Sequence, residues 1–124
     1  MRTALGRVRG LGAARSGTQL WMHQRLTAVS NLVLVLWLVF SLASLPGTEF
    51  EVVRAWLGSP LPATLMILLV ISTFYHARLG LQVVIEDYVH HEGAKLASLA
   101  AITLLAFGLA AACIVSILTV LLGR

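Results

Sequence analysis

Three long apolar stretches dominate the chain, from about Leu26 to Leu45, from Leu61 to Ile85 and from Leu96 to Leu122. Each is long enough to cross a bilayer, which takes about 20 residues of helix at roughly 1.5 Å per residue. Barrel strands would be half as long and would alternate apolar with polar positions, which these stretches do not. The first is uncharged and stops at Pro46-Gly47, before a short polar loop holding Glu49, Glu51 and Arg54. The second is entered through Pro60 and Pro62, where a missing amide proton costs least. The third is rich in Ala and Leu and carries no charge before Arg124. The pattern predicts an all-α fold of three transmembrane helices, with residues 1–20 as an N-terminal arm and 21–124 as the membrane domain.

Composition makes the membrane assignment firm. Hydrophobic residues are 59% of 124 and charged residues 11%, with a mean hydropathy of +0.92. Five acids and nine bases cannot cover a soluble core of this size, and there is far too much apolar surface for disorder. Cys113 is the only cysteine, which excludes a disulfide scaffold. The net charge of +4 has its source in Arg2, Arg7, Arg9, Arg15 and Arg25, all ahead of the first apolar core. Such a cluster can bind nucleic acid, but beside an apolar span it sets orientation instead. The acid-free arm also has the composition of a mitochondrial transit peptide. It is read here as a cytoplasmic arm, which puts residues 46–59 outside, residues 86–95 with Lys95 inside, and the C-terminus outside.

Ionisable groups inside a span are costly and mark function by default. His76 lies nine residues before Ile85, about 14 Å deep and near the midplane. Imidazole is the commonest metal and haem-iron ligand, although a hydrogen bond across a helix interface accounts for a lone histidine equally well. No other span contains a histidine, so a haem with two histidine ligands needs a partner chain and a heteromeric bundle. Asp87, eleven residues on, returns to within about 20° of His76 on a helix. Gly80 shares that face and would admit either a flat macrocycle or a closely packed helix. Glu86 and Asp87 sit at a helix C-terminus, where the macrodipole disfavours anions. For Glu86 the reading is a solvated loop charge. Tyr88 supplies a hydroxyl at interface depth, as a belt anchor does and as a quinone carbonyl requires. Arg78 should lean toward the helix N-terminus, with a carboxylate, a haem propionate or a lipid phosphate as its partner.

The stretch from His76 to His90, with its glycine four residues after the histidine and Asp-Tyr at eleven and twelve, resembles the D-type membrane anchors of succinate dehydrogenase, respiratory complex II. Arg25-Leu26-Thr27-Ala28 resembles the Arg-x-Thr-Ala opening of that subunit's first helix. The resemblance implies that His76 is an axial ligand of haem b, with the other histidine on a C-type cytochrome b anchor. It implies Tyr88 and Asp87 for the ubiquinone site, and Arg25 near the haem propionates. Arg78 stands where the family often has an aromatic residue, and a propionate is one of its candidate partners.

The implied function is anchoring and quinone reduction in the bacterial inner membrane, with haem b as cofactor and ubiquinone as substrate. Succinate oxidation belongs to partners, since no dinucleotide fingerprint is present and one cysteine cannot ligate iron–sulfur clusters. Those partners are a flavoprotein and an iron–sulfur subunit on the cytoplasmic face. The competing reading is a cofactor-free structural or assembly subunit packed through small residues. Gly108, Ala112 and Ser116, at four-residue spacing, serve either reading as a helix contact. A transporter would show a broken helix or paired acids within a span.

Overall fold

A computed structural model describes the backbone of residues 14–123 and the side chains of residues 18–123. Arg2, Arg7, Arg9 and Arg124, and the side chain of Arg15, lie outside the described residues. Four helices follow in order: α1 (Ala14–Ser44), α2 (Phe50–Leu57), α3 (Pro60–Tyr88) and α4 (Glu92–Leu121). No strand occurs among the described residues. Three helices, within Thr18–Ser44, Pro60–Tyr88 and Glu92–Leu121, are long and apolar enough to cross a membrane.

Three boundaries differ from the expectation. α1 is continuous from Ala14, inside the segment read as an arm, so Arg25 stands eleven residues into a helix instead of at its start. The loop after Pro46-Gly47 is not all loop, because Phe50–Leu57 forms α2. That helix has polar Glu51 and Arg54 among apolar neighbours, and Trp56 stacks on Trp37 of α1 with ring centroids 5.7 Å apart. The inner loop shrinks to residues 89–91, as α3 runs through Glu86, Asp87 and Tyr88 before ending. α4 starts at once because His91 acts as its N-cap, its Nδ1 accepting from the Ala94 amide at 3.1 Å. Glu92 then lies in the first turn, where the macrodipole favours an anion.

The three long helices form a row. α3 packs against α1 on one side and α4 on the other, while α1 and α4 do not meet. Only Leu34, Ala63, Leu69, Leu79 and Ile117 are buried apolar residues among those described. Leu32, Phe40, Leu104 and Phe107 are each more than half exposed, as suits surfaces meeting lipid or other helices. Small polar residues are accommodated within their own helices: the hydroxyls of Ser44, Thr64, Thr103, Ser116 and Thr119 each donate to the carbonyl four residues back, which removes their need for water. α2 packs at the end of the row where α3 begins and α4 ends. A Cβ on Gly58 would stand 3.4 Å from the Val120 carbonyl oxygen, so the turn from α2 to α3 lies close against the end of α4.

Ala63, 1% exposed in the first turn of α3, sets how closely that end packs. Ala63→Leu should destabilise the fold by about 1–3 kcal/mol through overpacking. The control is Ala100→Leu on an exposed position of α4, which should be near neutral. Thermal unfolding in detergent checks both.

Candidate functional site in the polar seams of the central helix

Toward α1, the polar groups of α3 form a seam. His76 Nδ1 lies 2.8 Å from Thr27 Oγ1, and the Thr27 hydroxyl also lies 2.8 Å from the His23 carbonyl and 3.1 Å from that of Gln24. Thr27 and Ser72 are both buried at 8% exposure, with Ser72 Oγ 3.4 Å from the Thr27 carbonyl. One turn away, Gly80 faces Gln24. The Gln24 Nε2 atom, 3.9 Å from a Cβ built on Gly80, is the one heavy atom within 4 Å. Helix packing within this chain therefore does not demand glycine there. Gln24 Oε1 is buried without a hydrogen-bond partner among the described residues, so the seam has an acceptor to spare close to Gly80.

A second histidine, His23, lies on α1 ahead of the apolar run from Leu26, within the membrane-length helix Thr18–Ser44, and its Nδ1 is 2.7 Å from the Tyr75 hydroxyl. The two rings meet at 5.8 Å with a 51° tilt. Tyr75 in turn borders two apolar grooves on one face of the row. One is lined by Thr27, Ser30 and Leu68 among others, the other by Phe74, Arg78, Ala110 and Ile114 among others.

Toward α4 the arrangement is cationic. Arg78 follows His76 by two residues, about 200° around the helix. Its Nε donates to Thr103 Oγ1 at 3.2 Å and its NH1 to Gln82 Oε1 at 2.6 Å. Gln82 Nε2 then donates to Glu86 Oε1 at 3.0 Å. The expected lean of Arg78 toward the helix N-terminus is thus corrected. Its hydrogen bonds run toward the C-terminus, because residues 78, 82 and 86 share one face and the acid lies at that end. Glu86 is accordingly a helix residue closing this ladder and not a loop charge.

Asp87 and Tyr88 occupy the last turn of α3. Both are exposed, Tyr88 at 77%. Arg25, exposed, lies over the Trp21 ring at 5.2 Å. Two residues from Thr27, it occupies the side of α1 turned away from α3. The structure thus brings Thr27 to His76, whereas Arg25 and Arg78 each occupy a face turned from the imidazole.

Residues 1–119 match the family model described as the succinate dehydrogenase/fumarate reductase transmembrane subunit. The chain belongs to that family. A succinate dehydrogenase hydrophobic membrane anchor subunit of Rickettsia bellii is 33% identical over 88 residues, covering 71% of this chain and 70% of the relative. The same-named subunit of Rickettsia conorii is 31% identical over 81 residues, 64% of each chain. That of Paracoccus denitrificans is 34% identical over 79 residues, 64% of this chain and 61% of the relative. The matched stretch thus spans about two thirds of these relatives. With three membrane-length apolar helices, this member of the family is a membrane protein.

Six residues of the seams escaped sequence reasoning: His23, Gln24, Ser72, Tyr75, Gln82 and Thr103. His23 and Gln24 precede the apolar run that was taken as the first span, and nothing local marks their pairing with residues some 50 positions away. Gln82 was legible in principle, standing midway between Arg78 and Glu86 at four-residue spacing. Gln82→Leu removes one of the two side chains holding the Arg78 guanidinium and should destabilise by about 1–3 kcal/mol, as for an orphaned polar group. The double variant with Arg78→Met should recover most of that loss, since no part-buried guanidinium is then left short of an acceptor, while Glu86 is exposed. Thermal unfolding of the two variants and the parent checks the sign of the coupling.

Proposed function

We propose that this chain is a membrane-anchor subunit of a bacterial inner-membrane succinate dehydrogenase that holds haem b jointly with a partner and forms part of the ubiquinone-reduction site. The observation that carries this reading is the state of His76. Its ring is tethered through Nδ1 to a buried threonine of α1, and Nε2 makes no hydrogen bond among the described residues. Such an imidazole is oriented and has one nitrogen left for a ligand, which is the donor that haem iron takes. The surroundings fit the group. Gly80, one turn from His76, presents no side chain toward Gln24, and Gln24 Oε1 is buried without a hydrogen-bond partner among the described residues.

In this reading His76 would hold the haem iron together with a histidine of a C-type cytochrome b anchor. When bound, haem b supplies one-electron storage beside the path to quinone, at a potential set by histidine ligation and burial. Among the arginines expected near the propionates, Arg25 is free to leave its stacking contact with Trp21, whereas Arg78 is already engaged with Thr103 and Gln82. Arg25 is therefore the stronger candidate.

Tyr88 and Asp87 stand three turns beyond His76, at the end of α3 taken as cytoplasmic. The Tyr88 hydroxyl donates to a ubiquinone carbonyl as charge develops on that oxygen, and Asp87 tunes or relays a proton drawn from the cytoplasm. The iron–sulfur and flavoprotein subunits dock on that face and deliver electrons from succinate. This chain contributes binding, orientation and proton handling, with the oxidation of succinate carried out elsewhere.

Two measurements test the reading. His76→Leu in the assembled complex should abolish or strongly reduce haem b absorbance while the chain still inserts; an unchanged spectrum would leave a cofactor-free anchor. Tyr88→Phe should slow quinone reduction by about 10²–10³-fold, as for a donor that acts on developing charge. Succinate oxidation by a soluble dye should continue at the parent rate in the same membranes. Equal quinone-reductase rates in variant and parent would make Tyr88 an interface anchor only.

A further inference from the structure

The Thr27 hydroxyl has one hydrogen and three close polar neighbours. Two of them, the carbonyl oxygens of His23 at 2.8 Å and Gln24 at 3.1 Å, can only accept. A threonine within a helix ordinarily gives its hydrogen to such carbonyls. The third neighbour, His76 Nδ1 at 2.8 Å, is then left as the donor, with the Thr27 oxygen accepting. A neutral imidazole protonated at Nδ1 carries its lone pair on Nε2. We infer that Thr27 is the positioning residue of His76, selecting the tautomer that bares Nε2 and holding the ring at its angle. This rests on the reading of His76 as a haem-iron ligand.

The arrangement has the parts this role requires. Thr27 is buried, so water does not compete for its oxygen. Its hydroxyl is pinned by the carbonyls of its own helix, and Ser72 Oγ lies 3.4 Å from the Thr27 carbonyl, on the same turn of α3 that carries His76. An imidazole that donates from Nδ1 to a fixed acceptor is a more basic ligand at Nε2, and such outer partners commonly govern metal affinity by about 10–100-fold. Greater basicity favours the oxidised, more positive iron. Removing the acceptor should therefore raise the midpoint potential and loosen the haem.

The test uses the purified complex. Thr27→Val, which keeps shape and removes the hydroxyl, should release haem about 10–100-fold more readily and shift the midpoint potential upward. Thr27→Ser should restore both toward the parent, and Thr27→Ala should behave as Val does. Should the hydroxyl-free variants fail to assemble, ¹⁵N spectra of the haem-depleted parent give the answer without mutation: protonated Nδ1 on His76 is expected, and protonated Nε2 would overturn the inference. Val and Ala variants with parental potential and haem retention would overturn it as well. His76→Leu separates this from the reading beneath it. Haem lost in His76→Leu but unperturbed in Thr27→Val overturns the role of Thr27 alone, whereas haem unperturbed in His76→Leu overturns the ligand assignment.

Discussion

Hydrocarbon offers no water, so every polar side chain of a membrane helix must find its partner on that helix or on a neighbour. α3 meets this constraint with a neighbour on each side, α1 and α4, which do not touch each other. Its imidazole Nδ1 is met by α1, and its guanidinium by α4 together with Gln82 of α3 itself. The row arrangement, the placement of both seams and the availability of His76 all follow from that division. A closed three-helix bundle would bring α1 against α4 and leave neither groove beside Tyr75 open.

The division also separates the cation from the imidazole. Arg78 and His76 are two residues apart, yet about 200° of helical rotation puts the cation on the opposite side of α3. At low effective dielectric a guanidinium beside the imidazole would oppose any positive charge gathering there. Arg78 instead reaches toward Glu86 through Gln82. This accounts for an acid at a helix C-terminus, where the macrodipole disfavours it by about 0.3–1 kcal/mol. The cation one relay away offsets that local penalty.

Much of the surface is turned away from the row. Gly108, Ala112 and Ser116 are exposed, and a Cβ on Gly108 would meet nothing within 4 Å. Their four-residue spacing, read as a helix contact, faces away from the other described helices at Gly108. Five buried apolar residues among those described are a sparse core for three long helices. The stability of the anchor is accordingly tied to what surrounds it, lipid and neighbouring helices together.

Periodicity and length along the chain were enough to identify three membrane helices, because crossing hydrocarbon requires long runs that nothing else in a sequence imitates. The spacing of His76, Gly80, Asp87 and Tyr88 was equally legible, since helical phase is local arithmetic. What the chain order could not reveal was which residues meet across helices. Thr27 lies 49 positions from His76 and His23 lies 52 from Tyr75, and threonine and histidine have no unique partner in a linear pattern. The helix that carries the first apolar run starts well before it, at Ala14, because hydropathy marks where side chains become apolar, while a helix continues through polar residues whenever its backbone bonds persist. The direction of Arg78 was settled by tertiary structure as well. Rotamer preference favoured the N-terminal side, but an acceptor one turn on, Thr103 across the interface and an acid at the helix end together outweigh a preference worth about 1 kcal/mol.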